Sequence, residues 1–185
     1  IKLVGQMASA KAFEAPNGKE TVLLGVIDLP AFYGKNSDGS GSSPSADIEQ
    51  LIGKLKKLGM KALIMDLRKN GGGLLTEAVD ISGLFIPKGS VLQVRGSNGQ
   101  SDDYRDEDEK VAWDGPLIVL TSKLSASASE IFAGAMRDHR RAIIVGDTTT
   151  HGKGSVQNII ELSRFDRNLK SAVKVTIQKL SLIHI

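Results

Sequence analysis

Lys61-Ala62-Leu63-Ile64-Met65-Asp66-Leu67-Arg68-Lys69-Asn70-Gly71-Gly72-Gly73 opens as an apolar run and closes on three consecutive glycines. A short apolar run bounded by turn formers reads as a strand inside a sheet. The glycines release the chain from ordinary backbone limits, and a helix over about 76–85, closed by Pro87, follows them. Strand, loop and helix recur on both sides. Val22–Leu29 is an earlier buried strand stopped by Pro30. After the Gly/Ser-rich loop 36–45, Ser45 is placed to cap a helix carrying Ile48, Leu51, Ile52, Leu55 and Leu58, ended by Gly59.

Downstream, Val91–Val94 reads as a strand and 102–110, with six carboxylates, as a solvated hairpin loop in preference to a calcium site. Leu117–Leu120 is another buried strand, and a helix starts near Ser127 with Ile131, Phe132, Ala135 and Met136 on one face. Ala142–Gly146 is the next strand. The alternation predicts an α/β layered fold with a largely buried sheet.

Composition narrows the function. With 185 residues, 41% of them hydrophobic, the chain supports one domain with a core. Its net charge of +3 is spread among interspersed acids and bases, with Lys54, Lys56 and Lys57 on one helix and Arg137, Arg140 and Arg141 ending another. Only 4% aromatic residues leave no stacking platform, so no nucleic-acid partner is expected. The absence of cysteine excludes a thiol nucleophile, a thiolate metal site and a disulfide framework. No apolar run is long enough to span a membrane. The start, Ile1-Lys2-Leu3-Val4, has no methionine and no signal-peptide pattern and reads as an internal piece.

Three loops at strand ends carry the unusual residues. The glycines after Asn70 suit an oxyanion or phosphate, or a tight turn without chemistry. Ser125-Ala126-Ser127-Ala128-Ser129-Glu130 enters a helix, whose N-terminus favours negative charge on a serine oxygen and offers the next amide as an oxyanion donor; a plain N-cap is the alternative. Gly152-Lys153-Gly154 brackets a lysine whose amine serves as a base where its charged form is disfavoured. A P-loop is excluded, because five residues separate Gly146 from Gly152, Gly154 stands where Ser or Thr is needed, and a strand pattern follows. His139 lies among arginines and reads as solvated, His151 offers an alternative Ser–His pair, and His184 belongs to the tail. His151 with Asp147 makes no metal site.

Taken together, these stretches resemble the carboxyl-terminal processing peptidases, most closely their tail-specific protease branch. The resemblance rests on 27–33, 66–73, 75–79, 82–87, 125–133, Gly152-Lys153-Gly154 and Val156-Gln157, in family order across roughly 20–178. It implies a crotonase/ClpP-like α/β core, with a mixed sheet flanked by helices and incomplete at its C-terminus. Ser127 is then the nucleophile, Lys153 the general base and Gln157 the residue that orients the lysine. Gly72, Gly73 and Ala128 correspond to the oxyanion hole, and Asp138, Glu130 and Thr150 are supporting residues. Asp138 reads as structural support rather than as a proton carrier. Burial of Lys153, away from any carboxylate, would keep its amine neutral.

No metal or cofactor is implied. The implied substrates are proteins or peptides with free apolar C-termini, and the implied location is the bacterial periplasm or envelope. A PDZ domain or adaptor would lie outside the peptidase core at 1–179, with 180–185 a tail foreign to the family. The loop 146–152 is one residue longer than the family spacing. A peptide- or small-ligand-binding module on the same fold is the alternative to an enzyme.

Overall fold

The computed structural model describes residues 7–35, 41–95 and 100–181. Parts of the first residues, of the 36–45 loop and of the 180–185 tail, including His184, lie outside them. Strands β1 (Ser9–Asn17) and β2 (Glu20–Asp28) form a hairpin turned at Gly18, whose φ is 64°. Sequence pattern did not announce β1, because it is a mostly exposed edge strand with little alternation and a proline at 16.

Helix α1 (Pro44–Lys57) is capped by Ser43 rather than Ser45, with the Ala46 N–H donating to Ser43 Oγ at 3.4 Å. Pro44 decides this: its fixed φ and missing N–H suit the first helical position and push the cap one residue back. Strand β3 (Ala62–Asp66), helix α2 (Leu75–Gly83) and strand β4 (Gly89–Arg95) follow.

The acidic stretch corrects the sequence reading. Ser101–Asp106 is strand β5, antiparallel to β4, and only 107–110 is loop. Tyr104 packs on the core while Ser90 Oγ donates to Asp103 and Arg105 pairs with Asp103 and Glu107, so an edge strand carries the charge. Among the described residues, no His/Cys/Asp/Glu group is arranged to hold a metal ion.

Strand β6 (Leu117–Thr121), helix α3 (Ala128–Asp138) and strands β7 (Ile143–Gly146), β8 (Ser155–Glu161) and β9 (Ala172–Ser181) complete the order. One sheet runs β1-β2-β3-β6-β7, parallel except for β1; a second, antiparallel, runs β5-β4-β9-β8. Ile27, Leu63, Met65 and Val119 of the first sheet meet Ile48, Ile52, Ala78, Ile81, Ile131 and Phe132 of the helices in the core. Phe85 and Phe132 pack edge to face at 5.7 Å.

The opposite face of that sheet is less buried than its apolar runs predict. Val26, Ile64 and Ile118 align in one row that ends at Ile143, which is 66% exposed. The parallel register matters most for the site. Asp66 pairs with Leu120 and Thr121 with Gly146, so the chain leaves β3, β6 and β7 at the same edge. All three unusual loops therefore start side by side.

Candidate active site

The turn from β6 into α3 is built by its serines in different ways. Ser125 is fully buried; its hydroxyl donates to the Leu67 carbonyl at 2.8 Å and accepts the Ser122 N–H at 2.9 Å. Ser129, also fully buried, donates its hydroxyl to the Asn70 carbonyl at 2.9 Å. Both are framework. Ser127 lies between them, half-buried, with φ 55° and ψ −116°. That conformation is sparsely populated for a residue with a Cβ and is the kind of strain a fixed surround must hold. A sharp strand-to-helix turn that presents a serine at a helix N-terminus is a geometry found at nucleophilic serines, and a capping box with Glu130 is also formed here.

The glycine loop is pressed against this turn. A Cβ on Gly72 would lie 2.8 Å from Ser127 Cβ and 2.7 Å from the Ala126 carbonyl oxygen, and its φ is +101°. Only glycine permits that approach. Gly73 is locked from the other side, where Phe32 N donates to Gly72 O and Leu74 N to Phe32 O. The Gly72 N–H itself donates to Asn70 Oδ1 at 2.8 Å, so in this structure its amide faces Asn70 and what Gly72 brings to Ser127 is proximity. Ala128 is fully buried at the first position of α3, and its N–H meets no acceptor among the described residues. It lies beside Gly72, its nitrogen 3.1 Å from where that Cβ would stand.

Glu130 joins the serine turn to the lysine loop. Its Oε2 accepts the Ser127 N–H at 2.7 Å and the Lys153 N–H at 3.1 Å. Its Oε1 accepts the Thr150 hydroxyl at 2.7 Å and the Gly152 N–H at 2.6 Å. One side chain thus takes a donor from the helix entrance and several from 150–153, as a carboxylate's lone pairs allow. His151 N adds a bond to Ser125 O at 3.0 Å, and Asp147 Oδ2 accepts Lys123 N at 2.9 Å. A 3.0 Å bond from Gly154 N to Gly152 O closes a three-residue turn around Lys153.

Lys153 is half-exposed, not buried as the sequence suggests, because its loop lies on the rim beyond β7. It makes no ion pair among the described residues. Gln157 does not orient it here: on β8, its amide donates to Thr176 Oγ1 across the ladder at 3.4 Å. A residue on a strand leaving the loop faces the neighbouring strand before it can face back.

Asp138 ends α3, at the far end from Ser127, which at 1.5 Å per residue is roughly 16 Å away. There it accepts Arg137 Nε and Nη2 at 3.2 Å. His139 is exposed, as expected, and its ring also bonds to Ser90 O at 2.8 Å, which ties α3 to β4. Arg141, expected to sit on a solvated helix end, donates to Phe85 O, Trp113 O and Gly115 O, and burial lowers the pKa of its guanidinium. Sequence reasoning missed Asn70, fully buried between the two loops. An Asn two residues before a glycine is the mark of an Asx-turn and was the available signal.

The model of peptidase family S41 matches residues 23–184. The tail-specific protease of Haemophilus influenzae is 41% identical over 179 residues, covering 95% of this chain and 24% of that protein. The chloroplastic C-terminal processing peptidase of Tetradesmus obliquus is 32% identical over 156 residues, 84% of this chain and 32% of that protein. Among solved structures, the photosystem II D1 C-terminal processing protease superposes with a TM-score of 0.75 at 30% identity, over 95% of this chain and 43% of that one. Mature CPAF complexed with lactacystin, at TM-score 0.72 and 14% identity over 95% of this chain and 47% of that one, shares the fold. The chain spans a quarter to a third of these curated relatives. With the match running from β2 to beyond β9 through each of the three loops, the chain belongs to peptidase family S41.

Proposed function

We propose that this chain is the core of a serine endopeptidase in which Ser127 is the nucleophile and Lys153 the general base. The observation that carries the reading is the Glu130 carboxylate, which holds the backbones of Ser127 and Lys153 on one oxygen although the residues lie on separate loops. Ser125 and Ser129 donate their hydroxyls to framework carbonyls, whereas Ser127, whose side chain takes part in a capping box with Glu130, donates to none among the described residues. In this reading Ser127 Oγ attacks the peptide carbonyl carbon as its proton passes to the Lys153 amine. Negative charge on the carbonyl oxygen is met by the Ala128 N–H and a glycine-loop amide, Gly73 being the candidate, each donor worth about 3 kcal/mol. Collapse breaks the C–N bond, the lysine ammonium protonates the leaving amine, and water hydrolyses the acyl-enzyme.

Residues 1–179 form the peptidase core in this proposal. Its substrates are proteins and peptides with free apolar C-termini, presented by a PDZ domain or adaptor outside the core. The proposed place of action is the bacterial periplasm or envelope. The names of the relatives support processing at carboxyl termini. Gln157 keeps a role only if substrate binding turns its amide from Thr176 toward Lys153.

The test is incubation with an unstructured peptide ending in apolar residues, with products read by mass spectrometry. The parent is expected to cleave, and Ser127→Ala and Lys153→Ala are not. Cleavage surviving Lys153→Ala but lost in His151→Ala would replace the base. A folded parent that binds the peptide without cutting it would make the chain a binding module.

A further inference from the structure

Asn70 occupies a position that the dyad alone does not explain. It has no exposed surface and stands where β2, the glycine loop and the serine turn converge. Its Nδ2 donates to the Leu29 carbonyl at 2.9 Å and its Oδ1 accepts the Gly72 N–H at 2.8 Å. Its own carbonyl accepts the Ala126 N–H at 3.2 Å and the Ser129 hydroxyl at 2.9 Å. Ala126 and Ser129 bracket Ser127 and Ala128, so one residue grips both ends of the segment that carries the nucleophile. Through Gly72 it also holds the loop pressed against Ser127 Cβ.

We propose that Asn70 is a positioning residue for the oxyanion hole: it fixes the gap between the glycine loop and the Ser127–Ala128 peptide. A buried N–H without an acceptor is costly, so Gly72 keeps its orientation while Asn70 Oδ1 is present and would turn its amide elsewhere without it. An aliphatic side chain would leave both Gly72 N–H and Leu29 O unpaired. Aspartate keeps the shape and the acceptor, but it donates to Leu29 only when protonated, and its ionised form places a buried negative charge beside the site where an oxyanion must form. The catalytic meaning of this role rests on the peptidase reading of Ser127; the geometric role does not.

The experiment pairs kinetics with NMR on the 185-residue chain and its Asn70→Asp variant. In the parent, through-hydrogen-bond couplings are expected from the Gly72 amide to the Asn70 side-chain carbonyl and from the Ala126 amide to the Asn70 backbone carbonyl. In Asn70→Asp, the Gly72 and Ala128 amide resonances should titrate together with a midpoint above the usual carboxylate range. Peptide cleavage near neutral pH should fall about a hundredfold in kcat relative to the parent with KM held within about twofold, and this ratio to the parent at the same pH should close as the carboxyl protonates. A purely structural role would lower the melting temperature without giving kcat this new pH dependence.

Parent couplings that are absent overturn the proposal whether or not the variant folds. So does a folded variant whose Ala128 resonance is unmoved, or whose kcat matches the parent's at every pH. If the parent cleaves nothing, the peptidase reading fails and the couplings still decide the role of Asn70. If the parent cleaves and Ser127→Ala does not, a fully active Asn70→Asp sinks the Asn70 role alone.

Discussion

Glu130 accepts the backbone N–H of Lys153 at 3.1 Å from a helix that begins on a different loop. The same oxygen holds Ser127 N at 2.7 Å, so the spacing of the proposed dyad is set by one carboxylate rather than by contact between the dyad's side chains. Glu130→Gln replaces one acceptor oxygen by a donor amide, which faces N–H and O–H donors that it cannot satisfy. The variant is expected to lose on the order of 2 kcal/mol of stability in urea denaturation, as charged hydrogen bonds do. Its kcat should fall about a hundredfold because the lysine loop is released.

Thr150 reaches the other oxygen of that carboxylate with its hydroxyl at 2.7 Å. Thr150→Ser keeps the donor and should retain activity. Thr150→Val removes it at nearly constant volume and is expected to cost about 1 kcal/mol, with a rise in hydrogen exchange confined to 150–153. Equal behaviour of the two variants would show that packing, not the hydroxyl, matters there.

Ser127 carries backbone strain, with φ 55° and ψ −116°. Ser127→Gly is therefore expected to melt higher than Ser127→Ala, by about 1 kcal/mol in free energy, while both are inactive. Ser125→Ala and Ser129→Ala, which strip buried hydroxyls from the framework, should both melt lower than the parent. Together the melts distinguish relief of backbone strain at Ser127 from loss of buried hydrogen bonds at its two neighbours.

Gly72→Ala would drive a methyl group to 2.8 Å from Ser127 Cβ at a φ of +101°. Overpacking and strain together are expected to cost on the order of 2 kcal/mol or more, with activity abolished. A second-site Ser127→Gly should recover part of that stability, read as a urea midpoint.

Asp80 stands in a cleft with Glu49, Asp106 and Asp108, and burial first, then the charge of Asp106, raises its pKa. Folding disfavours the ionised form, so stability falls as pH rises from the usual carboxylate range through the folded-state pKa and stays lower above it. Asp80→Asn should be more stable than the parent at neutral pH and indistinguishable from it in acid, where both states are protonated. Urea midpoints across pH check the sign.

Much of the layered fold was legible because short apolar runs such as Leu63–Met65 and Leu117–Leu120 are bounded by turn formers and alternate with helical patterns. Edge elements were not legible: β1 and β5 are held by pairing to a neighbour, and their polar outer residues look like loop in one dimension. The cap of α1 moved to Ser43 because Pro44 overrides the better-looking serine beyond it. At the site, the strand-end loops and the bracketed lysine were visible as composition. The roles of Ser125 and Ser129 were not, since a hydroxyl's partner is a carbonyl more than fifty residues away in sequence.

By itself, then, the sequence determined the alternation of strand and helix, the glycine-rich and serine-rich turns, and the family to which their order belongs. Only the tertiary structure decided which serines donate their hydroxyls to buried carbonyls, that the Gly72 amide belongs to Asn70, and that Gln157 faces Thr176. It also decided that Glu130 binds the serine turn to the lysine loop. Periodicity and turn chemistry are local and can be read along the chain. A buried donor finds its acceptor only after parallel strands have brought distant loops to one edge, and that choice exists nowhere in the chain before it folds.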